Sequence, residues 1–124
     1  MSKHAIATAI KHKVKIAFGT DAGVGSPHGT NAYEFNLLVA SGLTTMQAIA
    51  TATTTGAENL GAADQVGSIK VGAVADLIAL TADPLTDVTA LQAVDFVLKS
   101  GRVAKQGGQM LPAERWDSDR YSYP

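Results

Sequence analysis

Residues 16–31 read IAFGTDAGVGSPHGTN. An apolar run stops on Thr20-Asp21, and four glycines, Gly19, Gly23, Gly25 and Gly29, then crowd into eleven residues. The run Val14 to Phe18 ahead of them, entered from a basic turn and left through Gly19, predicts a strand buried on both faces. Upstream, Ile6 and Ile10 stand four apart in the alanine-rich SKHAIATAIKH of residues 2–12, which places both on one helical face. Helix, buried strand and glycine loop in succession predict an α/β unit whose loop presents one carboxylate, Asp21, and one imidazole, His28.

Beyond the loop the pattern turns helical. Asn31 with Glu34, Thr44 with Gln47, and Thr55 with Glu58 each have the spacing of a capping box, and Gly42 and Gly61 stand where helices end. After Gly61 the chain reads as β structure: Val66 to Ile69, then Ala75 to Leu80, then a turn at Asp83-Pro84. The stretch VDFVLKSGRVAK, residues 94–105, predicts a hairpin about Ser100-Gly101. From Gly107 no apolar period remains, and three of the seven aromatic residues fall there, so a tail is expected to dock on a neighbour. These shifts divide the chain into residues 1–64, 65–108 and a tail of 109–124.

A chain of 124 residues fits one domain with a core of its own. Ten Lys and Arg against eleven Asp and Glu give a net charge of −1, so no strong field draws in nucleic acid or acidic lipid. The lack of cysteine removes disulfides, thiolate metal sites and a cysteine nucleophile. Lysines and histidines interrupt the first eighteen residues, so no secretory core forms there, and no apolar run is long enough to span a membrane. With no cysteine and no such leader, a cytoplasmic protein is expected.

Most chemical templates are missing: there is no HExxH, no HxH and no Walker loop. His4 and His12 lie eight apart on the first helix, about 80° out of line, and read as solvated side chains. Gly23, Gly25 and Gly29 spell G-x-G-x-x-x-G, but Thr20-Asp21-Ala22 intervenes after the strand, and a carboxylate beside the turn would repel a pyrophosphate. Asp21 itself has two readings. It caps a turn, or it stands beyond the C-terminal end of a buried strand, where barrel enzymes keep catalytic groups, as a general base or metal ligand.

The segments KIAFGTDAGVGSPHG and NAYEFNLLVASGLTTMQAIATAT resemble the C-terminal part of metal-dependent amidohydrolases, in the branch of imidazolonepropionase-like enzymes and Xaa-Pro dipeptidases. VGSIKVGAVADLIAL, TADPLTDVTAL and VDFVLKSGRVAKQGG continue the resemblance to about residue 108. It implies an α/β fold in which GTDAG ends the eighth strand of a (β/α)₈ barrel, helices follow, and the later strands form part of a small β-sandwich domain. It further implies hydrolysis of a C–N bond in an amide or dipeptide, with a divalent metal, zinc by expectation, in the intact enzyme. Asp21 would be both metal ligand and catalytic group, His28 would contact substrate, and Thr20, Ala22 and Gly23 would shape the pocket wall.

The same resemblance implies an HxH pair, a bridging Lys or Glu and two further His, and of that constellation only Asp21 has a counterpart here. A (β/α)₈ barrel takes about 250 residues, so the chain reads as a C-terminal fragment, expected to bind no metal and to be inactive alone. The alternative is a non-catalytic structural or interaction module derived from such an enzyme. The strand at 14–18, deprived of neighbours, would favour re-pairing within the chain or self-association.

Overall fold

The computed structural model describes residues 3–23 and 28–112. The first helix, α1, spans Lys3–Lys11, with Ile6 and Ile10 turned to one side as their spacing requires. Its end is set by Lys13, which takes φ 55° and closes a Schellman motif: Lys13 N–H donates to the Ile10 carbonyl at 3.0 Å and Val14 N–H to Ala9 at 2.9 Å. Helix α2 spans Tyr33–Ala40, α3 Thr45–Ala52 and α4 Thr54–Asn59. The paired i−3 and i−5 bonds recur at Gly42-Leu43 after α2 and at Gly61-Ala62 after α4. No helix among the described residues is long and apolar enough to cross a membrane.

Of the three expected capping boxes one forms. Thr44 Oγ1 accepts from Gln47 N–H at 3.2 Å while Gln47 Oε1 accepts from Thr44 N–H at 2.8 Å. The residue capping α2 is Ala32, without a side-chain bond, and Asn31 instead donates to Thr20 Oγ1 at 3.3 Å. Thr53 precedes α4, also without a side-chain cap, and Glu58 pairs with Lys15 at 2.6 Å. In both failures a long-range partner holds one member of the expected box.

The strand expected at Val14 to Phe18 is corrected. Residues 14–20 carry no regular secondary structure, and the segment is not buried on both faces, since Val14 is 57% exposed. A strand needs a ladder of backbone bonds with at least one neighbouring strand, whereas the backbone bond that fixes this segment runs from Phe18 N–H to the Thr51 carbonyl at 2.9 Å. Its side chains still alternate. Ile16 and Phe18 turn inward and join Ile10, Phe35, Val39 and Leu43 around the buried Ile6, Leu38 and Ala48, while Lys15 and Ala17 face out.

The second half is a four-stranded antiparallel meander, in the order β1 (Leu77–Leu80), β2 (Val94–Lys99), β3 (Arg102–Gln106), β4 (Gln109–Met110). The expected hairpin forms about Ser100 and Gly101, which carry φ 54° and 73°, the left-handed pair that matches the twist of two-residue hairpins. Asp76 pins this turn: Oδ1 accepts from Ser100 N–H at 2.7 Å and Oδ2 from Lys99 Nζ at 2.6 Å. β4 carries the sheet two residues past the expected start of the tail, and residues 113–124, where the tail's aromatics fall, lie outside the described residues. Among the described residues the sheet is a single layer, so a second layer of the expected sandwich is not formed by them.

Contacts on two flanks help join the halves. Gly67 lies so close under the turn between α3 and α4 that a Cβ there would stand 2.6 Å from the Thr53 carbonyl, and its φ of 85° excludes most side chains as well. On the other flank a 3₁₀ helix, Val88–Gln92, buries Leu91, and Gln92 donates to Asn36 of α2 at 2.9 Å. That 3₁₀ helix is capped by Asp87, whose Oδ1 accepts from Thr89 N–H at 2.9 Å.

Candidate functional site

The site residues follow directly from the 14–20 segment. With Phe18 turned inward and Gly19 outward, Thr20 is half-buried and Asp21 stands at the surface just past the packed stretch. Phe18 is held from two sides. Its N–H satisfies the Thr51 carbonyl, near the C-terminus of α3 where helix carbonyls lack intrahelical donors, and its ring stacks on Phe35 of α2 with centroids 4.5 Å apart. One residue beyond Gly19, Thr20 Oγ1 accepts from Asn31. Two residues of the segment are thus tied to α2 and its leading turn.

Asp21 then departs from the ordinary backbone. Its φ is 48°, a left-handed value that aspartate tolerates better than most residues but that its neighbours must maintain. Among the described residues none hydrogen-bonds its carboxylate, which is exposed. Ala22 is half-buried, and Gly23 is exposed with φ 154°. His28 lies at the far end of the loop, exposed and in a turn, and residues 24–27 between them lie outside the described part. Thr20, Asp21, Ala22 and Gly23 are thus contiguous on one loop edge, while no described contact joins His28 to them.

Chemically, a solvent-facing carboxylate without partners among the described residues can accept a proton or supply one ligand. Among the described residues no group of three or more His, Asp or Glu comes together in a way that could hold a metal ion. One carboxylate falls short of the three protein ligands of a catalytic zinc centre, so these residues do not by themselves fit the metal that the motif implies. A shallow hollow lies elsewhere, lined by Lys15, Ala17, Thr55, Glu58 and Asn59. It includes none of the expected site residues, and the Lys15–Glu58 pair occupies its rim.

Two residues that bear on the site were not legible as such. Asn31 reads as a helix cap from its spacing to Glu34, and only the folded contact reveals Thr20 as its partner. Thr51 carries no motif, yet it is buried and its carbonyl anchors the strand-like segment.

The amidohydrolase family model matches residues 3–104. Ochratoxinase of Aspergillus niger is 38% identical over 105 residues, covering 81% of this chain and 21% of that enzyme. Imidazolonepropionase of Shouchella clausii is 32% identical over 118 residues, covering 91% of this chain and 26% of its own length. Among solved structures, a Xaa-Pro dipeptidase with methionine bound in its active site superposes with a TM-score of 0.80 at 44% identity, over 83% of this chain and 25% of that one. The chain therefore spans between about a fifth and a quarter of the length of these relatives. With the family model matched over most of its length, the chain belongs to the amidohydrolase family.

Proposed function

We propose that this chain forms the C-terminal quarter of a metal-dependent hydrolase of C–N bonds in amides or dipeptides. The observation that carries the reading is Asp21, exposed, unpartnered among the described residues and held at φ 48° at the end of the anchored segment 14–20. The relatives support it in kind, being a Xaa-Pro dipeptidase, an imidazolonepropionase and an ochratoxinase. On this reading segment 14–18 is the last barrel strand, laddered only when flanking strands from the rest of the enzyme lie beside it. Asp21 accepts the proton of the attacking water as the new C–O bond forms and delivers it to the amine as the C–N bond breaks. His28 contacts substrate, and Thr20, Ala22 and Gly23 line the wall.

On this reading the HxH pair and the other metal ligands come from outside the 124-residue chain, which therefore does not turn over alone. The segment 14–20, which pairs with no strand among the described residues, is also the surface through which an isolated chain would self-associate. The test begins in the source DNA upstream of Met1, where an in-frame extension carrying an HxH pair is expected. In that longer protein Asp21→Asn lowers kcat by about 10²–10⁴-fold, the range of a lost general base. Dipeptide turnover by the present chain with added zinc, or an unchanged rate in the Asn variant, sinks the reading.

A further inference from the structure

We propose that Asn31 is a positioning residue that sets the direction of the Asp21 carboxylate through Thr20, a proposal that rests on Asp21 being the reacting group. Asn31 stands where a cap belongs, yet α2 is preceded by Ala32 without any side-chain cap, so the Asn31 amide does not serve the helix. Its Nδ2 donates instead to Thr20 Oγ1 at 3.3 Å. Thr20 is the residue immediately before Asp21, and Asp21 occupies a left-handed conformation that an unrestrained aspartate leaves readily. With no hydrogen-bond partner for its carboxylate among the described residues, Asp21 projects from a Cα–Cβ vector that the backbone sets. Thr20, adjacent in the chain, is the neighbour whose side chain is tied to another element.

The contact does not act alone. Tyr33, Glu34 and Phe35 N–H groups donate to the carbonyls of Thr30, Asn31 and Ala32, so residues 30–35 are wound as a continuous turn. Four residues of such a turn advance about 6–8 Å, and two residues of an extended segment advance about 6.6 Å. Phe35 stacks on Phe18 four residues after Asn31 binds Thr20, while Phe18 and Thr20 are two apart. The two grips therefore match in spacing, with α2 and the segment running in opposite directions. An apolar stack fixes the inner end and a polar bond fixes the end nearest Asp21.

The test reads the loop backbone by ¹⁵N relaxation in the full chain. In the unchanged protein residues 20–23 are expected near the rigid order parameter of about 0.85, and Asn31→Ala and Thr20→Val each lower them below about 0.6. Residues 45–59, in α3 and α4, keep their values, and Thr20→Ser, which retains the hydroxyl, keeps the loop rigid. Because the two side chains act through one bond, the double variant is no more mobile than either single one. Wild-type order in both single variants, additive losses, or a loop already mobile before substitution would overturn the proposal. Should Asn31→Ala fail to fold, the comparison of Thr20→Val with Thr20→Ser decides it, since only the hydroxyl separates the cases. The measurement does not depend on turnover, so an active Asp21→Asn enzyme would sink the hydrolase reading without touching this result.

Discussion

VKIAF at residues 14–18 and VDFVLK at 94–99 are both short apolar runs rich in β-branched and aromatic residues, yet only the second is a strand. β2 pairs Leu98 with Leu77 on one side and with Val103 on the other, so its backbone groups find partners within about two dozen residues of sequence. VKIAF has no described strand beside it; Val14 N–H closes the end of α1 on Ala9, and the backbone bond that anchors the segment to another element is Phe18 N–H to Thr51. Composition specifies what a segment suits. Whether it becomes a ladder depends on where its partners lie, and antiparallel hairpins carry theirs nearby while a parallel strand must collect them from afar.

The sharpest way to break that contrast is to empty the core on which VKIAF rests. Leu38 is buried at the centre of the helical cluster with Ile6 and Ala48. Leu38→Ala is expected to cost about 2–5 kcal/mol, as truncations in packed cores do. Amide exchange should speed up across α1, α2 and at Phe18, while the β2–β3 ladder, closed by its own hairpin, loses far less protection. Equal losses in the two halves would mean that the contacts at Gly67 and between Gln92 and Asn36 weld them into one cooperative unit, and the contrast between local and distant partners would carry no energetic weight.

The converse experiment attacks the sheet where it is locally sealed. The Asp76 carboxylate holds the hairpin turn by Ser100 N–H and Lys99 Nζ, with side-chain exposures of 29% for Asp76 and 38% for Lys99. A bond to a charged group contributes about 1.5–3 kcal/mol when shielded, and the partly exposed ion pair adds under about 1 kcal/mol. Asp76→Ala should therefore cost about 2 kcal/mol by chemical denaturation, with exchange rising first at Ser100 and Gly101. Lys99→Met should cost less than half of that. If the two variants are equal, the ion pair and not the backbone bond holds the turn.

The features legible in advance were those whose partners lie close in sequence. Ile6 and Ile10 gave α1, Thr44 and Gln47 gave a real capping box, and Ser100-Gly101 gave the hairpin. The failures share one cause. Asn31 and Glu58 had the spacing of caps, but Thr20, eleven residues back, and Lys15, forty-three residues back, took their side chains. Lys13 at φ 55° ends α1 with no glycine to signal it. Of the candidate site, the contiguity of Thr20 to Gly23 follows from the sequence alone, whereas the tie from Asn31 to Thr20 required the fold to bring two loop ends together.

The smallest expected effect tests the seam between the two regions. Asp87 caps the 3₁₀ helix that lies against α2, and its carboxyl is held below the usual carboxylate range by the Thr89 hydroxyl and then by the Thr89 N–H. A carboxyl whose folded pKa is depressed stabilises the fold fully above its unfolded value, about 3.9, and loses that contribution as the pH falls through the lower folded value. Asp87→Asn keeps an acceptor oxygen for the Thr89 N–H but has nothing to titrate. The melting temperatures of the two proteins should differ by a constant amount from pH 7 down to about pH 5 and converge as acid protonates Asp87, with the change sensed at Gln92 and Asn36 before it reaches the β2–β3 ladder. A difference that persists at pH 2 would mean that the charge at Asp87 does not stabilise the cap, and that the seam depends on Leu91 packing alone.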